Sequence, residues 1–190
     1  MTKNSGLVRK GFWTLVRTSL AALALALALL ALPTAGCGRG QKYANPALRT
    51  LTAEELGGKL SQLQEPVTLV HVWATWCPPC RQELSHVVRF REAYEGRGVA
   101  MILISADAPG KSEQVASFLS EQGASFPSWI IDNPGAAFIN TLCTNWSGAI
   151  PASFFFGADG KLKEWWEGEA EYDRYDAATK RLLGQTNKGG

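Results

Sequence analysis

From residue 52 to residue 183 the apolar positions follow two rhythms, short unbroken runs and runs at every third or fourth place, and the switches between them lay out the elements. Val67-Thr-Leu-Val-His-Val-Trp73 and Val99-Ala-Met-Ile-Leu-Ile-Ser105 are unbroken and rich in β-branched residues, the pattern of strands covered on both faces. In Thr52-Ala-Glu-Glu55 a threonine cap faces a glutamate three residues on, a capping box, opening a helix to about Leu63 with Leu56, Leu60 and Leu63 on one face. Pro66 closes that connection. A helix from about Pro78 to Tyr94 starts on prolines, tolerated because first-turn amides lack helical partners, and stops at Gly96 and Gly98. Asp107 to Gly110 reads as a loop, and a further helix spans about Ser112 to Gln122, closed by Gly123. Phe126 to Asp132 contains a short strand and Pro134 to about Leu142 a short helix. Two strands, Ala152–Phe156 and Lys161–Glu167, are joined by Gly157-Ala-Asp-Gly160, an Asp-Gly hairpin signal, which places Trp165 and Trp166 on opposite faces. A helix from Asp173 to Leu183 ends the pattern. This alternation, finishing in a hairpin and a helix, predicts an α/β fold with a mixed central sheet flanked by helices. There is no internal repeat.

Composition changes the picture at the amino terminus. Lys3, Arg9, Lys10 and Arg17 precede the apolar run Leu20–Leu32, and Pro33-Thr-Ala-Gly-Cys37 follows it. Thirteen apolar residues suit a signal-peptide core better than a membrane span, which takes about 17–25. Ser19 and Thr34 to Gly36 can lengthen the run, so an uncleaved anchor stays open. Residues 1–36 are therefore expected to be a signal peptide or membrane anchor, 37–51 a tether, 52–184 one domain and 185–190 a frayed tail. The net charge of +2 belongs to the whole chain; without residues 1–36, fifteen basic residues stand against seventeen acidic. No basic stripe is interleaved with aromatics, so a nucleic-acid partner is not expected. About 150 residues remain, enough for one core.

The chemistry centres on Trp76-Cys77-Pro-Pro-Cys80, where the first unbroken strand runs into a helix. Two intervening residues in a first helical turn bring both sulfurs within bonding reach, and the helix amino terminus stabilises a thiolate on the first. Cys77 is the expected nucleophile and Cys80 the resolving thiol. Half of a zinc site is the bland alternative, but no second Cys-x-x-Cys or suitable histidine pair accompanies it, so no metal is expected. Glu83 lies one turn beyond Cys80, where a carboxylate would raise a thiol's proton affinity or accept its proton; a solvated helix residue is the alternative. His86 reads as solvated.

Val72-Trp-Ala-Thr-Trp-Cys-Pro-Pro-Cys-Arg-Gln-Glu-Leu84 resembles the active-site segment of the TlpA/ResA/CcmG group of thioredoxin-like proteins, which are extracytoplasmic and membrane-attached. Gly148-Ala-Ile-Pro-Ala-Ser-Phe-Phe-Phe156 with Asp159-Gly-Lys161 is similar to the segment in which that family has a cis-proline facing the dithiol. The likeness covers about Thr52 to Leu183 and implies a thioredoxin-like fold. It also implies that Pro151, if cis, presents the Ile150 backbone beside Cys77 to pair with an extended substrate, a trans proline at a strand start being the alternative. Trp76 would rim the site or simply pack on the surface. Glu83 matches a glutamate associated with the thiols in the ResA branch. His71 stands where relatives carry a buried acidic or amide residue; as a neutral imidazole it would relay the Cys80 proton, or else be an ordinary core histidine. Ala35-Gly36-Cys37 is similar to a bacterial lipoprotein processing site, making Cys37 the expected lipidation residue, with plain secretion and an uncleaved anchor as alternatives. Two departures stand out: Ser85 replaces a helix-kinking proline, and Cys143 is an extra thiol, expected to be buried or intermolecularly bonded.

The expected function is a membrane-tethered, extracytoplasmic thiol–disulfide oxidoreductase. The resemblance implies a protein-disulfide reductase in cytochrome c maturation or a related metalloprotein assembly step, with a membrane electron donor, cysteine-containing protein substrates and no bound cofactor. The alternatives are a copper-handling chaperone on the same thiolates, against which the lone mature-chain methionine, Met101, counts, and a disulfide-forming oxidase. A peroxiredoxin-type peroxidase lacks its usual pattern around a lone cysteine.

Overall fold

The computed structural model describes residues 48–186, so the leader, Cys37, most of the tether and the end of the tail lie outside the described residues. The chain runs β1 (Leu48–Leu51), α1 (Ala53–Leu60), β2 (Val67–Trp73), α2 (Pro78–Tyr94), β3 (Val99–Ser105), α3 (Ser112–Glu121), β4 (Ser128–Ile131), α4 (Ala136–Leu142), β5 (Ala152–Gly157), β6 (Leu162–Glu167) and α5 (Tyr172–Thr186). A single 3-10 turn, Pro109–Lys111, occupies part of the expected loop before α3. Thr52 caps α1 through the capping box read from its sequence, and α1 stops at Leu60, short of the expected Leu63.

The six strands form one mixed sheet in the order β1-β4-β3-β2-β5-β6, with β1, β4, β3 and β2 parallel and β5 and β6 antiparallel to their neighbours. β1 corrects the tether: Leu48–Leu51 pairs in register with Ser128–Ile131, so the last four residues assigned to the tether belong to the sheet. β2 is buried at every position, as its unbroken apolar run requires.

Period-two alternation divides the core between the two faces of the sheet. Leu69 and Trp73 of β2, Phe155 of β5 and Trp166 of β6 join Leu84, Val87 and Phe90 of α2 and Tyr175 of α5. Val70, Val72, Ile104, Phe154 and Phe156 point the other way, onto Leu56 of α1 and Phe138 and Leu142 of α4. The hairpin tryptophans split as expected: Trp166 is buried against Tyr175, while half-buried Trp165 stacks on Phe154 across the sheet. His71 lies on the α2–α5 side, and the antiparallel register sets it opposite Ser153. Ser153 in turn pairs with Trp166.

Candidate active site

The dithiol sits where β2 ends and α2 begins. Cys77 is the N-cap of α2, with extended backbone, and Pro78 and Pro79 fill the first two helical positions. Neither proline has an N–H, so the first amide the helix can offer is that of Cys80, and it donates to Cys77 Sγ at 3.3 Å. A charge at a helix amino terminus is worth about 0.3–2 kcal/mol, so in the reduced protein the helix favours a Cys77 thiolate. Cys77 and Cys80 are joined in a disulfide, with Cα atoms 5.3 Å apart. Cys80 is fully buried and Cys77 retains 4% exposure, which leaves Cys77 as the sulfur an incoming thiol can reach.

The loop leading to the dithiol is fixed from behind. Buried Asp107 accepts from the Thr75 amide (2.8 Å), the Thr75 hydroxyl (2.6 Å) and the Ser105 hydroxyl (2.7 Å). The carboxylate thus ties the end of β3 to the residue before Trp76. Sequence reasoning missed this role, although an Asp two residues after a strand serine is a recurrent local cap.

The cis Ile150–Pro151 peptide bond lies across from the dithiol, and the Ile150 carbonyl oxygen is 3.6 Å from Cys77 Sγ. Trp76 is 66% exposed, the one large apolar side chain so exposed among the described residues. It borders a groove of about 220 Å³ whose walls include Val72, Pro134, Phe138, Trp146 and Ile150.

Behind the dithiol lies a cluster of polar groups in an otherwise apolar core. Glu83, expected one turn beyond Cys80, is completely buried, as is His71. Glu83 Oε1 accepts from the Ala170 amide at 3.0 Å and from the Tyr175 hydroxyl. The Tyr175 oxygen is 3.0 Å from Ser153 Oγ, which is 3.0 Å from His71 Nδ1. His71 Nε2 and Glu83 Oε2 are 4.0 Å apart, and neither has a hydrogen-bond partner among the described residues. Burial raises Glu83 from an ordinary 4.5 to about 7, against the opposing pull of the Tyr175 and Ala170 donors. Burial lowers His71 to about 3, so it is neutral. Tyr175, buried beside the Glu83 carboxyl, is held well above the usual tyrosine range.

Each of the other sequence candidates also has a place. α2 is an unbroken helix through Ser85, His86 is half-buried, and Cys143 is a free, buried thiol just past α4. Tyr175 and Ser153 were not singled out from sequence. The available signal was a lone serine on the inward face of an apolar strand, opposite His71.

A Cys-x-x-Cys disulfide at a helix N-cap, beside a cis-proline on a mixed sheet, defines a thioredoxin-like dithiol protein. The chain belongs to the Redoxin family, whose model matches residues 28–179. It is 29% identical over 131 residues to the thiol–disulfide oxidoreductase ResA of Bacillus thuringiensis (strain Al Hakam), spanning 67% of this chain and 72% of ResA. Among solved structures it is similar to a thioredoxin-family thiol:disulfide interchange protein from Chlorobium tepidum TLS (25% identity, TM-score 0.54, 67% of this chain and 84% of that one). It is also similar to a thioredoxin-related protein from Neisseria meningitidis serogroup B (26% identity, TM-score 0.56, 66% and 91%). The protein is a thiol–disulfide oxidoreductase with a Cys-x-x-Cys pair, of the type that includes ResA. No described helix is long and apolar enough to cross a membrane.

Proposed function

We propose that this chain is a protein-disulfide reductase that works outside the cytoplasm, held at the membrane by lipidated Cys37 or an uncleaved leader. Cys77, as thiolate, attacks one sulfur of a substrate disulfide. That bond breaks, a mixed disulfide forms, and the departing substrate thiolate takes a proton from solvent. Cys80 then gives its proton to the Glu83 carboxylate and attacks Cys77 Sγ. The Cys77–Cys80 bond forms, and the second substrate thiolate leaves and is protonated. Two electrons have passed to the substrate with no bound cofactor, and a membrane electron donor restores the dithiol by the reverse exchange.

The observation that carries the reducing direction is the buried Glu83 behind the dithiol. A disulfide oxidant is strong when its reduced, thiolate form is stabilised. The buried titratable groups behind the dithiol work against that: His71 is neutral and supplies no positive charge, and an ionised Glu83 disfavours a thiolate. A carboxyl poised at about 7 suits proton exchange at neutral pH. The groove beside Trp76 and Ile150 supports a docking edge for the chain flanking the substrate cysteine. The basic, apolar leader ending in Ala35-Gly36-Cys37 supports the extracytoplasmic placement, and with it a role in cytochrome c maturation or a related metalloprotein assembly step.

The reduction potential tests this reading. Equilibration against dithiol buffers is expected to give a value near or below that of thioredoxin, about −270 mV; one near about −120 mV would make the protein a disulfide-forming enzyme. Insulin reduction by wild type and Cys77→Ser separates turnover from copper storage. Dithiol-dependent turnover supports the reductase, and stoichiometric Cu(I) binding without turnover overturns it.

A further inference from the structure

While Glu83 is protonated, one wiring suits the four polar groups behind the dithiol best. The Ala170 amide donates to Glu83 Oε1, which favours Oε1 as the carbonyl oxygen of the protonated carboxyl, the better acceptor, and so directs the single Tyr175 hydrogen to it. Tyr175 can then only accept from Ser153, whose single hydrogen is thereby used. Nδ1 lies 3.0 Å from Ser153 Oγ and 3.5 Å from the Tyr175 oxygen, both with their hydrogens spent elsewhere, so the hydrogen sits on Nδ1. That leaves His71 Nε2 as a bare acceptor 4.0 Å from Glu83 Oε2. Two acceptors in that position repel, and a hydrogen on Oε2 turns the contact attractive.

We propose that Tyr175 and Ser153 are positioning residues that bind Glu83 and His71 into one device: it releases a single proton, and each release converts His71 from the Nδ1–H to the Nε2–H tautomer. The inference rests on the reading of Glu83 as proton partner of Cys80 and adds how that proton is held. In the protonated state hydrogens sit on Nδ1, Ser153, Tyr175 and Oε2. After release they sit on Nε2, donating to Oε2, on Ser153, turned to donate to Nδ1, and on Tyr175, still donating to Oε1; the Ser153–Tyr175 contact gives up its hydrogen, and the charge-assisted Nε2–H bond to the carboxylate offsets that loss. One proton has left, no bond between heavy atoms has changed, and the imidazole is never charged. The charged and titratable groups acting on Glu83 are few: His71 from β2, Tyr175 and Arg174 from α5, and Glu169 from the preceding loop, the last two opposing each other.

The test is nitrogen NMR of ¹⁵N-histidine-labelled oxidised protein between about pH 5 and 9, with the Glu83 carboxyl stretch followed by infrared spectroscopy. His86 is the only other histidine. The expected result is a neutral His71 that changes tautomer with the same midpoint as Glu83, about 7. In Glu83→Gln the tautomer change is lost. Tyr175→Phe frees the Ser153 hydrogen for Nδ1, so His71 is Nε2–H throughout and the change is again lost. A wild-type His71 that keeps one tautomer through the Glu83 midpoint, or a change that persists in either variant, overturns the proposal. Should Tyr175→Phe fail to fold, wild type and Glu83→Gln still decide. These signals need neither substrate nor turnover, whereas failure of the reductase reading shows as an oxidising potential.

Discussion

Replacing Glu83 by glutamine should change the pH dependence of stability more than its value at any one pH. The carboxyl titrates at about 7 in the fold against an ordinary 4.5. Below about pH 4.5 it is protonated whether the chain is folded or not, and its burial as an acid carries no ionisation penalty. Between about 4.5 and 7 the unfolded chain releases the proton while the fold retains it, so stability falls as pH rises. Above about 7 both states are ionised and the loss is complete. At about 1.4 kcal/mol per pH unit the loss is about 3 kcal/mol, a large share of the 5–15 typical of a domain. Glutamine cannot ionise and is spared this loss.

Urea unfolding of the oxidised proteins, at several values between about pH 4 and 8.5, measures it. The stability difference between Glu83→Gln and wild type should move by about 3 kcal/mol in the variant's favour from acid to alkaline pH. With a slope of about 1–3 kcal/mol per molar urea, that is a relative midpoint shift of about 1–3 M. His71 works on the opposite limb: lowered to about 3 from 6.5, it withdraws stability as pH falls through that window, and being present in both proteins it cancels in the difference. Parallel curves, with a constant difference across the range, would refute a buried, proton-holding Glu83.

Other expectations follow from single contacts. Asp107→Ala leaves the Thr75 amide and hydroxyl and the Ser105 hydroxyl without their acceptor. At about 1.5–3 kcal/mol for a hydrogen bond to a charged group, it should lose at least about 3 kcal/mol in urea unfolding, and a loss under about 1 would contradict the anchoring role. Trp76→Ala removes an exposed side chain, so stability should hold within about 0.5 kcal/mol while kcat/KM for a protein disulfide falls at least about fivefold. Unchanged kcat/KM would remove Trp76 from docking. Cys80→Ser should trap Cys77 in mixed disulfides, visible on non-reducing gels, and absence of such adducts would question its resolving role. His71→Asn should alter the pH profile of thiol exchange, and an identical profile would exclude His71 from proton movement.

The central strands were legible because burial on both faces leaves a run of apolar residues that only one arrangement explains. β1 was not: Leu48-Arg-Thr-Leu51 has two exposed residues and no alternation, and belongs to the sheet only through pairing with β4. Spacing alone placed Cys77, Cys80 and Glu83 on one helical turn each, because those relations are local. Ile150 is 73 residues from Cys77, and its approach to the sulfur was legible only through resemblance. Tyr175 could not be read at all, since an aromatic on an amphipathic helix looks like core and here is core. Its ring packs on Phe90 and Trp166, and only its hydroxyl does something else.

That double use explains how a polar cluster survives in the interior. Leu69, His71 and Trp73 share one face of β2, so His71 is seated by the same alternation that seats the apolar core. A buried imidazolium or carboxylate is costly without a counter-charge, and the burial of these two groups pushes them in opposite directions, the imidazole down and the carboxyl up. Both shifts favour the uncharged form. The cluster is therefore neutral between about pH 3 and 7 and carries one negative charge above that range. That charge appears one helical turn behind the dithiol, where it raises the cost of a thiolate just as the carboxylate becomes able to take the Cys80 proton. Proton acceptance and resistance to thiolate formation are thus one ionisation, and the proposed reductase, resolving a mixed disulfide at neutral pH, has use for both.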